Sequence, residues 1–155
     1  MSRSIAESGP PMWPAFARAT LSITRRRASG ERFQGLKREL GVSAFGMNLV
    51  ILAPGQRGRI HSHERQEEVY LVLEGELTLL IEGVEHRLGP DDLVRVGPSV
   101  RRQLVNAAGT RLVLLALGGS GEHAGRDGRA WESWDEGGEG RPPQEVPLPD
   151  DLPAA

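Results

Sequence analysis

Turn-forming residues punctuate the middle of this chain about every eight to twelve residues, which leaves room between them only for strands. SAFGMNLVIL alternates, placing Phe45, Met47, Leu49 and Ile51 on one face of a strand. EVYLVL and ELTLLIEG follow, joined across Glu74, Gly75 and Glu76. Then come VEHRL, DLVRV, RRQLVN and TRLVLLAL, separated by Gly-Pro, Gly-Pro-Ser and Ala-Ala-Gly-Thr. Several of these segments are apolar on both faces, which suits two stacked sheets better than one open sheet. ERFQGLKRELG has a trace of helical period, but Gly35 in its middle favours an edge strand. No solenoid-length repeat and no helix-turn-helix precedes the β region. The fold class is all-β, a sandwich or barrel.

The ends of the chain behave differently. Residues 1–30 are expected to form an arm: their first half is rich in Ser, Pro and Gly and has no periodicity. Residues 31–117 form the β domain. From 118 to 155 a Gly- and Pro-rich acidic tail has too little apolar surface to offset its ordering entropy. Trp131 and Trp134 are the exceptions, suited to pinning the tail onto the barrel or a second subunit. With 19 basic and 21 acidic residues the net charge is −2, so no polyanion-binding surface is indicated. Arg25, Arg26 and Arg27 are a short solvated run rather than a nucleic-acid contact. The chain has no cysteine, which excludes disulfides, thiolate metal sites and cysteine nucleophiles. No apolar run approaches a membrane span, and MSRSIAESGPPMWP lacks the apolar core of a signal peptide, so a cytoplasmic location is expected.

Chemistry concentrates in the segment from Gly55 to His63. His61 and His63 stand two apart, so on a strand both imidazoles leave the same face, close enough to chelate one ion. Glu68 opens the next strand, and a hairpin would return its carboxylate to the histidines. Two imidazoles and one carboxylate form a credible divalent site for Zn, Fe, Mn or Ni, with open positions for substrate. Tyr70 and Val72 share the face of Glu68, and Tyr70 is a candidate hydrogen-bond partner for a ligand. Arg59 has the parity of His61 and is a further candidate for the pocket. Glu67 has the opposite parity and belongs to the surface; His86 and His123 are most simply solvated. No spacing supports Ser-His-Asp catalysis.

Gly55, His61, His63, Glu68 and Gly75 together reproduce the spacing of the first cupin motif, both glycines included. The stretch from about Val42 to Leu117 therefore resembles the cupin superfamily. That resemblance implies a double-stranded β-helix, or jelly roll, with the metal pocket inside the barrel and irregular extensions at both ends. The family's second motif places a histidine four residues before an asparagine. Asn106 is present here, but the fourth residue before it is Arg102. Arginine keeps its proton and has no lone pair to give a metal. About 5 Å from a dication, a guanidinium would be repelled by roughly 6–7 kcal/mol at an effective dielectric of 20. Three arrangements follow: Arg102 swings away, pairs bidentately with Glu68 in a metal-free pocket, or grips a substrate carboxylate or phosphate.

Two functions fit these residues. One is a small metal-dependent enzyme, of oxygenase or isomerase type, acting on a small organic molecule. The other is a binding module that senses a small molecule without turning it over. A homodimer is expected in either case. Exposed edge strands need covering, the segment from Arg32 to Leu40 and the Trp131 and Trp134 tail are suited to it, and cupins commonly pair.

Overall fold

A computed structural model describes residues 32–119 and 127–153. The N-terminal arm, with Arg25, Arg26 and Arg27, and His123 lie outside the described residues. The elements are β1 (Phe33–Gly35), α1 (Leu36–Leu40), β2 (Gly46–Leu52), β3 (Ile60–His63), β4 (Glu67–Glu74), β5 (Leu77–Ile81), β6 (Val84–Leu88), β7 (Leu93–Val96), β8 (Arg102–Val105), β9 (Leu112–Gly119) and β10 (Gly128–Trp131). They build two five-stranded sheets, ordered β1-β2-β9-β4-β7 and β10-β3-β8-β5-β6. All pairings are antiparallel. From β3 to β9 the chain crosses repeatedly between the sheets, as a double-stranded β-helix requires. Among the described residues no helix is long and apolar enough to cross a membrane.

Between the sheets lies a core of Val50, Leu52, Tyr70, Val72, Leu77, Leu79, Val96, Leu104, Leu112, Leu114 and Ala116. Alternation in β2 therefore has two apolar outcomes. Val50 and Leu52 point into the barrel, whereas Met47, Leu49 and Ile51 face outward beneath α1. Phe45 precedes the strand and is exposed.

The segment expected as one edge strand divides in two. Its first half is β1, paired with β2, and its second half is the five-residue helix α1. Leu36 and Leu40, four residues apart, lay one helical face on Leu49 and Val113. That burial holds the short helix, and Gly35 sits extended just before it, so the low helix propensity of glycine does not count against it. Gly41 then ends the helix in the left-handed conformation.

Gly75 turns the chain from β4 in one sheet to β5 in the other, at φ +80°. A Cβ there would stand 2.3 Å from the Arg111 carbonyl oxygen, so no side chain fits without moving backbone. Asn106 is fully buried and holds the corner after β8. Its amide donates to the carbonyls of Leu52 (2.9 Å) and Thr110 (2.8 Å), and its side-chain oxygen accepts from the Ala108 N–H (3.1 Å).

The ordered barrel does not end at Leu117. Residues 128–131 of the expected tail enter the second sheet as β10, paired with β3 from Gly128↔His63 to Trp131↔Ile60. Strand addition gains backbone hydrogen bonds, which composition does not count. Trp131 is 6% exposed, and the Arg101 guanidinium lies 5.6 Å from the ring centroids of both Trp131 and Trp134. Beyond a short 3-10 turn at Pro143–Glu145 the chain returns along the barrel. There Arg57 donates to the Asp150 carbonyl (2.7 Å) and the Leu152 N–H to the Gly55 carbonyl (2.8 Å).

Candidate metal centre

His61 and His63 project from the same face of β3, as strand parity requires. Glu68 reaches them by another route than the expected hairpin. β3 and β4 are not paired: β3 lies between β10 and β8, and β4 between β9 and β7. The carboxylate therefore faces the imidazoles from the opposite sheet, and the cluster spans the barrel. His63 Nε2 lies 3.2 Å from Glu68 Oε1, and His61 Nε2 lies 3.6 Å from Glu68 Oε2. One ligand atom from each of the three residues falls within 4.8 Å of the others.

The far sides of both rings are held. His61 Nδ1 lies 3.1 Å from the Arg59 carbonyl oxygen, and His63 Nδ1 lies 2.8 Å from Asp127 Oδ1. Both of these oxygens can only accept, which assigns the ring proton to Nδ1 in each histidine and leaves Nε2 as the free lone pair. Lone pairs on two Nε2 atoms then confront carboxylate oxygens, an arrangement that calls for a proton or a cation between them. At His63 a proton can serve: burial alone would lower its value, but the Glu68 hydrogen bond and charge, aided by Asp127, raise it. Burial would likewise raise Glu68, yet its contacts with His61 and His63 hold it well below the usual carboxylate range.

Arg102 stands on β8 directly opposite His61 in register. It is 0% exposed; Nη1 donates to the Val100 carbonyl (2.8 Å), and Nη2 lies 3.3 Å from Glu68 Oε2. Of the three arrangements open in the sequence, pairing with Glu68 is the one present, through one oxygen rather than two. The Tyr70 hydroxyl donates to that same oxygen. Burial, then the Glu68 charge, push the tyrosine well above its ordinary value, so it keeps its proton.

A cavity of about 700 Å³ opens onto His63 and Glu68 and is walled by Asn48, Gln66, Asp127 and Arg129, with Pro142, Pro143 and Gln144 at the rim. Arg102 and Tyr70 touch Glu68 from behind and do not line this space. Arg59 is elsewhere. It precedes the first residue of β3, so strand parity does not carry to it; its Nε donates to the Val146 carbonyl, and it lines a separate surface cleft. Glu67 pairs with Arg95 at the surface and His86 is exposed. Asp127 carries no signal in the sequence, since it sits in a Gly-rich tail with no motif spacing to the histidines.

The donor set fits a divalent ion. Two imidazoles present Nε2 with Nδ1 anchored behind, one to a backbone carbonyl and one to a carboxylate, the outer partners that metal-ligating histidines usually have. Imidazole and carboxylate together suit zinc, iron, manganese or nickel. Arg102 adds a positive charge beside the carboxylate and so opposes tight binding without removing a donor.

Comparison with known proteins agrees with this architecture. The cupin domain family matches residues 48–118. A proposed sugar phosphate isomerase from Acidithiobacillus ferrooxidans is 26% identical, with a TM-score of 0.55 over 61% of this chain and 60% of its own. This chain thus spans less than two thirds of that protein. A sugar phosphate isomerase of the cupin superfamily from Silicibacter pomeroyi is 24% identical (TM-score 0.57, 79% of this chain and 74% of its own). A cupin protein from Bacteroides fragilis is 19% identical (TM-score 0.56, 75% and 96%). The latter two likenesses speak to the fold alone. No protein of curated function matches the chain in sequence. With its motif glycines, its jelly-roll topology and its paired histidines facing Glu68, the matched segment, residues 48–118, is a cupin domain.

Proposed function

We propose that this cupin is a metal-dependent enzyme of the isomerase type, holding a divalent ion on His61, His63 and Glu68 and acting on a small, oxygen-rich molecule. The observation that carries the proposal is the anchoring of both Nδ1 atoms, which turns both Nε2 lone pairs toward Glu68. A bound divalent ion would supply Lewis acidity at a substrate carbonyl or hydroxyl oxygen. The chain's own residues do the rest. Arg59 and Asp127 hold the imidazoles in place, while Tyr70 and Arg102 orient the Glu68 carboxylate and exclude water from behind it. Asn48, Gln66 and Gln144 offer amides to substrate hydroxyls. Apart from two prolines, the named cavity residues are polar or charged, which favours a hydroxylated substrate over an aromatic one. The 26% identical protein from Acidithiobacillus ferrooxidans bears the name of a sugar phosphate isomerase, which supports an aldose–ketose type of substrate.

The test is proton NMR in D2O of free and phosphorylated aldoses and ketoses, with chelator-stripped protein and with protein reloaded with zinc or manganese. Metal-dependent exchange of the hydrogen beside the carbonyl, or growth of the isomer, is the expected result. Saturable binding without turnover would instead assign a sensing module. The Arg102–Glu68 pair favours that second reading, because it neutralises the carboxylate with no ion present. Neither binding nor turnover would overturn both.

We also infer that a second copy of the chain covers the outer face of the first sheet. Leu93, Leu71, Leu115 and Leu49 stand opposite one another in register across β7, β4, β9 and β2, forming one apolar row. Leu93 is 66% exposed. Among the described residues only α1 covers this face, and it lies at the β2 end. A continuous apolar row on a sheet is self-complementary across a two-fold axis. Light scattering at micromolar concentration should give about twice the 16.8 kDa chain mass; the mass of one chain would overturn the pairing.

A further inference from the structure

We propose that metal loading and docking of the C-terminal strand are coupled, with Asp127 as the positioning residue that joins them; this rests on the metal-binding reading above. Asp127 is 7% exposed and directly precedes β10. Its Oδ1 holds His63 Nδ1 at 2.8 Å and also accepts from the Gln66 side-chain amide. Its Oδ2 accepts from the backbone N–H groups of Arg65 (3.1 Å) and Gln66 (2.9 Å), and its carbonyl from the Glu64 N–H (3.0 Å). These five bonds span residues 63–66, the corner that leads from one ligand, His63, to another, Glu68. One carboxylate from the tail thereby sets both the ring orientation of His63 and the course of the chain that delivers Glu68 from the opposite sheet.

The tail reaches this position only as part of β10. That strand pairs with β3, which carries both histidines, and its other side is bridged at Ala130 by two backbone hydrogen bonds with Arg141 (2.8 and 3.0 Å). At its other end Trp131 is buried and stacks with Arg101, well removed in sequence from the ligands. An undocked β10 would take Asp127 away from His63 and leave the Nδ1 proton without its acceptor. The metal would then bind a centre with one ring free to turn. Linkage makes this reciprocal: whatever the docked strand adds to metal affinity, the metal adds to docking.

Two measurements on the full chain test the coupling. The first is zinc affinity by chelator competition for wild type, Asp127→Asn and Trp131→Ala. Removing an outer partner of a metal-bound histidine typically lowers affinity 10- to 100-fold. Asp127→Asn should fall about that far, and Trp131→Ala, which touches no ligand, should fall in the same direction. The second is amide hydrogen exchange of wild type with and without zinc. Zinc should slow exchange at Gly128–Trp131 at least about tenfold more than in β6, a strand at the far edge of the same sheet, since general stabilisation by ligand slows every globally exchanging amide alike. Equal slowing in β6 and β10, or a Trp131→Ala affinity equal to wild type, would overturn the coupling while leaving the metal site intact. A wild type that takes no zinc would overturn both. Should a variant fail to fold, the exchange measurement on wild type decides alone.

Discussion

Arg102→His should tighten zinc or manganese binding tenfold to a hundredfold, or ~1–3 kcal/mol. The substitution does two things at one position. It removes a fully buried guanidinium whose Nη2 lies 3.3 Å from Glu68 Oε2. It also supplies an imidazole on β8, directly opposite His61 in register. Arg102 cannot swing out to relieve the repulsion, because Nη1 is tied to the Val100 carbonyl and the side chain has no exposure. Its charge is therefore a fixed feature of the site. His61→Ala should act oppositely and abolish binding, since it deletes a ligand outright. Competition titration against a chelator on wild type and both variants checks this. If Arg102→His leaves affinity unchanged while His61→Ala abolishes it, the guanidinium does not oppose the ion. If neither substitution matters, the pocket uses no metal.

Glu68→Gln should destabilise the metal-free protein by about 3–5 kcal/mol, the usual cost of removing one partner of a buried ion pair. The variant keeps the shape of the side chain, so packing changes little. What it leaves behind is Arg102 with its charge uncompensated and with Nε and Nη2 already lacking hydrogen-bond partners. The Tyr70 hydroxyl, buried and protonated, would lose its anionic acceptor as well. The pH dependence supplies a second check. Glu68 titrates in the folded protein well below the ordinary 4.5. Its contribution is thus fully present above that ordinary value and is lost as pH falls through the lower folded-state value. Urea denaturation at pH 7 should show the large gap between wild type and Glu68→Gln, and the gap should narrow in strong acid. A variant as stable as wild type at pH 7 would mean that Arg102 is compensated by a group other than Glu68.

Strand periodicity, the turn glycines and the placement of His61 and His63 on one face are local properties of the backbone, and all were legible in the residues. A side chain two positions along a strand must leave the same face, and a residue at φ +80° with a carbonyl where its Cβ would stand must be Gly75. The motif spacing carried the family and the three ligand candidates for the same reason, since it records fixed numbers of residues between such local constraints.

What joins those residues was decided only in three dimensions. Whether β4 returns beside β3 or crosses to the opposite sheet depends on which strands win its hydrogen bonds, and β9 and β7 did, both distant in sequence. Glu68 therefore meets the histidines across the barrel. Arg59 shares parity with His61 on paper, but it lies before the strand begins, where alternation has no force. Asp127 reaches His63 because four residues of an unpromising tail add to a sheet edge, a gain in backbone pairing that side-chain composition does not register. Arg102 pairs with Glu68 because burial leaves a charge no cheaper partner than the opposite charge beside it. Periodicity along one strand is set by neighbours in the chain; the meeting of two strands is set by free energy shared among elements far apart in it.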